Sequence, residues 1–177
     1  MNWLAYALMT VFSWGVYGAF LHTGQLGMND KENGRYKAFL FVGVAYFLTA
    51  VLAPLAVLVL RGADWNYPKG GMAWSLIAGV MGAIGAFCVL LAFGAKGTPA
   101  VVMTIVFAGA PVVNALYTIW QHPPEGGLGS ISPLFFVGLL LAAAGGGLVT
   151  LYKPAPPVAK PGAAPLHAPA VPGKPVH

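Results

Sequence analysis

The sequence is short of charge. Its 177 residues include nine Lys or Arg and four Asp or Glu, only 7% of the chain. A soluble domain carries about 25% charged residues, which coat its surface. Apolar residues reach 58%, and the mean hydropathy is +0.76. These values exclude an ordinary soluble domain, and they exclude disorder for most of the chain. They indicate an integral membrane protein, with membrane lipid as its surroundings.

Residues that carry chemistry are also scarce. Cys88 is the only cysteine, so an internal disulfide is excluded. The four histidines lie far apart without metal-ligand spacing, and no nucleophile–base pair or cofactor motif is present. The formal net charge is +5, but the basic residues flank apolar runs instead of forming a patch. The sequence therefore predicts no enzyme activity, metal, cofactor or nucleic-acid partner.

Five apolar runs are long enough to cross a bilayer as helices, which takes about 20 residues. They are too long, and alternate too little, for barrel strands. The predicted spans are residues 3–22, 37–60, 72–94, 99–120 and 132–152, within a transmembrane domain of residues 1–152. The short loops between them predict that consecutive helices are antiparallel neighbours. The predicted fold class is thus all-α integral membrane, with five transmembrane helices.

The end of the chain has a different composition. Residues 153–177 contain eight of the 15 prolines. Proline fixes φ and lacks a backbone N–H, so this Pro/Ala-rich C-terminal tail is predicted to be disordered and partly polyproline II. Two interpretations remain open for this tail. It is either a segment that docks on a partner or a tail without such a role, and the composition favours the second.

Basic residues near the predicted membrane are distributed unevenly. One side has five of them: Lys31, Arg35, Lys37, Lys96 and Lys153. The other side has two: Arg61 and Lys69. The positive-inside rule then places the N-terminus outside and the tail in the cytoplasm, and a bacterial inner (plasma) membrane is the expected location. Four of the five tryptophans lie near helix ends on the predicted outer side. The bias of five to two leaves dual insertion open.

Uncharged polar residues form a stripe on each of two predicted helices. On the first helix the stripe is Tyr6, Thr10, Ser13 and Tyr17, and on the fourth it is Thr104, Pro111, Asn114 and Thr118. Pro111 is expected to kink its helix and to free a carbonyl. No span carries a charged residue away from its ends, which argues against coupling to protons through a buried carboxylate.

These stripes predict a shared cavity for a neutral solute. The candidate substrate-binding residues are Trp14, Tyr17, Thr104 and Asn114. The alternative for each residue is an ordinary hydrogen bond between helices. Small residues also recur at four-residue spacing, at 78/82, 79/83, 82/86, 138/142 and 142/146. Such pairs predict close helix packing, and one of these faces is a candidate dimer interface.

Several segments carry a family resemblance over residues 3–152. They are FSWG at 12–15, LAFGAKGTPAVV at 91–102, GAPVVNAL at 109–116 and PLFFVG at 133–138. Together they resemble a single five-helix repeat of the drug/metabolite transporter superfamily, the EamA-like domain. Members of that family move small organic solutes by alternating access, and most carry two inverted repeats. For a chain with one repeat, the resemblance implies a dimer or a partner chain.

Two functional hypotheses follow from this sequence. The first is a half-size EamA-like permease, which moves a small neutral or zwitterionic organic solute as a homodimer or other oligomer. The alternative is a non-transporting accessory subunit packed among other membrane protein subunits. The lack of charge within the spans and the missing second repeat favour this alternative. A membrane enzyme is a third, weaker hypothesis, because no catalytic constellation is visible.

Overall fold

A computed structural model describes residues 2–153 of the chain. Apart from Lys153, the predicted tail lies outside the described residues. Within them the secondary structure is helical, without strands. The helices are α1 (Trp3–Gly27), α2 (Gly34–Leu60), α3 (Lys69–Gly94), α4 (Pro99–Gln121) and α5 (Pro133–Leu151), with a short 3-10 turn at Leu128–Ser130. All five are long and apolar enough to cross a membrane. The predicted all-α class with five spans is confirmed at this level.

The first loop is shorter than predicted. We expected α1 to end at His22 and a loop to cover residues 23–36, but α1 continues to Gly27 and the loop is confined to residues 28–33. No proline interrupts this stretch, and the Thr23 hydroxyl donates to the Ala19 carbonyl at 3.0 Å, within the helix. The chain turns at Asn29, whose φ is 52°, in the left-handed region that asparagine tolerates.

The second helix contains a π-helical turn that the sequence analysis missed. Residues Phe47–Leu52 form it, and the Ala53 N–H donates to the carbonyl of Leu48, five residues back. Pro54 follows directly and has no N–H to offer the carbonyl of Ala50. The helix accommodates this missing donor by widening one turn, as π-bulges do.

The connection between α3 and α4 is the tight hairpin predicted at residues 95–98. Lys96 takes a positive φ of 69°, and its N–H donates to the Phe93 carbonyl at 3.1 Å. The N–H of Gly97 donates to the Ala92 carbonyl at 2.9 Å, which completes a Schellman ending. A Cβ at Gly97 would lie 2.8 Å from that same carbonyl oxygen, so a larger residue does not fit. Pro99 then starts α4.

The buried core lies at one end of the bundle. It consists of Leu21, Val89, Leu90, Phe93 and Met103. These residues come from the C-terminal parts of α1 and α3 and from the N-terminal part of α4. Ala38, near the start of α2, is buried as well. Neighbouring helices therefore run antiparallel, and the core closes the end that bears the loops at 28–33 and 95–98. We call this the closed end.

The opposite end, which we call the open end, contains none of the buried apolar residues of the described chain. Residues 47–60 of α2 approach none of the other helices of the described chain. Residues 69–85 of α3 are all exposed. Helix α5 contacts α4 alone among the helices. A single chain therefore leaves long apolar helix faces without a protein partner.

Only some of the predicted small-residue pairs mark helix contacts. Gly146 of α5 is buried, and a Cβ added there would overlap the Cβ of Ala108 in α4. Ala86 of α3 is 1% exposed. In contrast, Gly79 and Gly82 have open space where a side chain would project. The pair at 142/146 thus lies where α4 and α5 approach closely, whereas the pairs at 78/82 and 79/83 face outward.

The contact between α4 and α5 gives a direct test of this packing. Gly146→Ala is expected to push the two helices apart and to lower the free energy of unfolding by about 1–3 kcal/mol, the usual cost of overpacking. Gly145→Ala is the matched control, because a Cβ there meets nothing within 4 Å. Thermal unfolding in detergent should rank Gly146→Ala below both the wild type and Gly145→Ala. Equal stability of the two variants would contradict this packing.

Candidate functional site

Two of the four candidate solute-binding residues lie together on α1. The ring centroids of Trp14 and Tyr17 are 5.6 Å apart, and Trp14 meets Phe107 of α4 edge-on at 6.4 Å. One turn closer to the closed end, Gly18 of α1 packs against Met103 of α4. The two helices therefore keep one antiparallel register over this stretch, and the aromatic cluster lies directly above the core.

Tyr17 lines a groove of about 430 Å³ between α1 and α2. Its walls are mostly apolar, with Ser13 and Tyr46 as the other polar members. The Tyr17 hydroxyl is buried, and it interacts with the Tyr46 hydroxyl across the groove without making a well-formed hydrogen bond among the described residues. A buried hydroxyl without a partner costs about 1–3 kcal/mol, so a polar atom that reaches it gains a favourable hydrogen bond.

Thr104 and Asn114 do not join this groove. The Thr104 hydroxyl donates to the Ala100 carbonyl of its own helix at 2.6 Å, which leaves it only as an acceptor. Asn114 is exposed and lies ten residues further along α4, roughly 15 Å toward the open end. Helix α4 runs unbroken past Pro111. The structure thus brings Trp14 and Tyr17 together but does not gather all four residues into one cavity.

A polar basin at the closed end was not predicted as a site. It has a volume of about 460 Å³ and is lined by Gln25, Leu26, Asn29, Asp30, Lys31, Arg35 and Gly94. The sequence showed this stretch to be polar, but the prediction assigned Gln25 to a loop, whereas the structure places it in α1. The extension of α1 to Gly27 places Gln25 next to the loop residues and opposite the end of α3.

Asp30 organises the loop beside the basin. One of its carboxylate oxygens accepts the N–H groups of Glu32 and Asn33 at 3.0 and 2.8 Å, and the other pairs with the Lys37 ammonium at 2.7 Å. The N–H of Asn33, followed by the Lys37 ammonium, lowers the pKa of Asp30 from 3.8 to about 2. The carboxylate is therefore charged at neutral pH, and its two oxygens are occupied.

The cations that line the basin lack such partners. Within residues 2–153 the single ion pair is Lys37 with Asp30, so neither Lys31 nor Arg35 pairs with a carboxylate there. The Arg35 guanidinium lies against Gly94, where an added Cβ would be 2.5 Å from Nη1. It also lies 5.2 Å from the ring centre of its neighbour Tyr36. Gln25 contributes a buried side-chain oxygen without a partner in the described chain.

Residues 2–153 contain no cluster of three or more His, Cys, Asp or Glu that could hold a metal ion. Comparisons with family models, with curated proteins and with solved structures give no match to this chain. The resemblance to an EamA-like repeat therefore rests on the sequence segments themselves.

The loop carboxylate predicts a pH dependence. Folding lowers the pKa of Asp30, so the charged carboxylate stabilises the folded state above about pH 4. This contribution to the free energy of unfolding is lost as the pH falls toward 2. Asp30→Asn keeps an oxygen that can accept the two N–H groups but loses the ion pair with Lys37. Its thermal midpoint should lie below that of the wild type at pH 7, and the gap should shrink between pH 4 and pH 2.

The matched control for this measurement is Asp64→Asn, which removes an exposed carboxylate that is unpaired among the described residues. It should follow the wild type at each pH. A gap between Asp30→Asn and the wild type that stayed constant down to pH 2 would refute the role given to the Asp30 charge.

Proposed function

We propose that the chain is a half-size membrane permease that moves a small neutral or zwitterionic organic solute as an oligomer. The observation that carries this proposal is the buried Tyr17 hydroxyl, which faces Tyr46 without a well-formed hydrogen bond among the described residues. It lies beside Trp14, at the level where the open end of the bundle meets the core. The resemblance to one EamA-like repeat, a hypothesis from the sequence, points to the same activity.

The shape of the bundle supports a transport role. The groove at Tyr17 is open along α1 from Ser13 to Met28. The interior of the bundle beside Trp14 is instead filled one turn further on by Leu21 and Met103. Alternating access requires a state that is open on one side and shut on the other. The groove is lined by uncharged residues, which suits a solute without net charge.

The unpartnered helix faces support an oligomer. Residues 47–60 of α2 make no contact with the other helices of the described chain. Residues 69–85 of α3 are exposed along their whole length. A second copy would cover these faces and would close the open end laterally. With the charge bias of the loops, the open end would face outward and the closed end the cytoplasm, in a bacterial inner membrane.

The same faces favour a second candidate function, a non-transporting accessory subunit. Helices that are left without partners over many turns also fit a chain packed among other membrane proteins. In that case Tyr17 and Trp14 would serve helix contacts, since a fold can be kept without its transport activity.

Flux measurements test the role of Tyr17. Tyr17→Phe removes one hydroxyl and should lower uptake by about three- to tenfold, the worth of one hydrogen bond. Asn114 is a candidate from the sequence that does not line this groove, so Asn114→Ala is a second comparison variant and should keep wild-type uptake. Tyr6→Phe is the matched control, because Tyr6 is exposed near the start of α1. The readout is uptake of a panel of neutral and zwitterionic solutes into proteoliposomes. Wild-type flux in Tyr17→Phe would remove this groove from consideration.

The native mass separates the two candidate functions. Extracted from its own membrane in a mild detergent, a permease should run as a small homo-oligomer, near twice the chain mass of 18.3 kDa. A large assembly with other proteins would instead favour the accessory subunit, and the identity of those partners would then indicate its role.

A further inference from the structure

The polar basin at the closed end carries an excess of positive charge. Asp30 is the only carboxylate in its wall, and the Lys37 ammonium already neutralises it at 2.7 Å. Lys31 and Arg35 therefore remain as two cations without a carboxylate partner among residues 2–153. An anion bound in the basin would offset the charge of both side chains.

The donors in the basin suit an oxyanion with several acceptor oxygens. A guanidinium presents N–H groups in a fixed fork that matches phosphate geometry, whereas a lysine ammonium acts as a point charge. Gly94 leaves room for the Arg35 fork, since a Cβ there would lie 2.5 Å from Nη1. The buried end of the Gln25 side chain is an amide, and rotation about its last bond offers the NH2 group in place of the oxygen.

We propose that the basin binds a phosphoryl group, held by the Arg35 guanidinium with Lys31 and the Gln25 amide as further donors. Inorganic phosphate carries about −1.5 to −2 near neutral pH and a phosphodiester headgroup about −1, so two cations can neutralise either group. The basin lies at the ends of α1 and α3, where helices leave the apolar layer. The phosphoryl group can therefore come from a lipid headgroup or from a soluble phosphate.

This site is separate from the groove at Tyr17. The two share no lining residue. Binding at the basin is thus independent of whether the chain transports a solute, and it is measured without any flux.

The test uses the full chain, purified in a maltoside detergent without phosphate. In one arm inorganic phosphate is titrated into the protein by calorimetry, with sodium chloride of equal ionic strength as the reference. In the other arm the protein is mixed with phosphatidylglycerol, and retained lipid is counted by native mass spectrometry. Binding of inorganic phosphate identifies a soluble source, and retention of phosphatidylglycerol alone identifies a lipid source. Either result supports the proposal, and the absence of both overturns it.

Variants locate the bound group. Arg35→Gln is expected to weaken binding at least tenfold, because it removes the charged fork. Arg61→Gln is the matched control, since it makes the same change at the open end and should bind as the wild type does. If Arg35→Gln fails to fold, Lys31→Gln replaces it, because Lys31 is exposed and its loss should weaken binding several-fold. Wild-type affinity in Lys31→Gln and in folded Arg35→Gln would overturn the proposal.

Discussion

The close approach of α1 and α4 at Gly18 is the contact on which the rest of the bundle depends. A Cβ at Gly18 would lie 2.5 Å from Cγ of Met103, so a larger residue there would displace the Met103 side chain from its place in the core. That approach brings Leu21 into the core beside Leu90 and Phe93. One turn away it sets Trp14 against Phe107. The core and the aromatic cluster thus adjoin the position where α1 presents no side chain to α4.

Much of the fold was predictable because it depends on composition over long windows. A run of about 20 apolar residues without charge has to satisfy its own backbone, and only a helix does so within one segment. The ends of the helices were harder to predict. Gly24 and Gly27 are glycines, which usually indicate a loop, yet both remain helical in α1. The π-helical turn before Pro54 depends on how a helix absorbs one missing donor, which hydropathy does not record.

The candidate site was predictable only in part, for a different reason. Helical periodicity shows which residues share a face but not what lies opposite that face. Tyr17 and Trp14 lie close together because they are neighbours on one helix. Thr104 faces a carbonyl of its own helix, a local bond that a polar stripe does not reveal. The basin needed tertiary information, because Arg35 and Gly94 are far apart in sequence and meet only when α2 packs on α3.

The distribution of charge and packing bears on how the closed end could open. In lipid, the apolar side chains of the core gain little from leaving their surroundings, since lipid tails are as apolar as they are. The core is therefore held by close packing and by the polar contacts of the loops. Those contacts centre on Asp30, at the end of α1, and on the turn at Lys96, at the end of α3. The basin lies between these two places, so a group held there by Gln25 of α1 and Arg35 of α2 would link these two helices beside the end of α3.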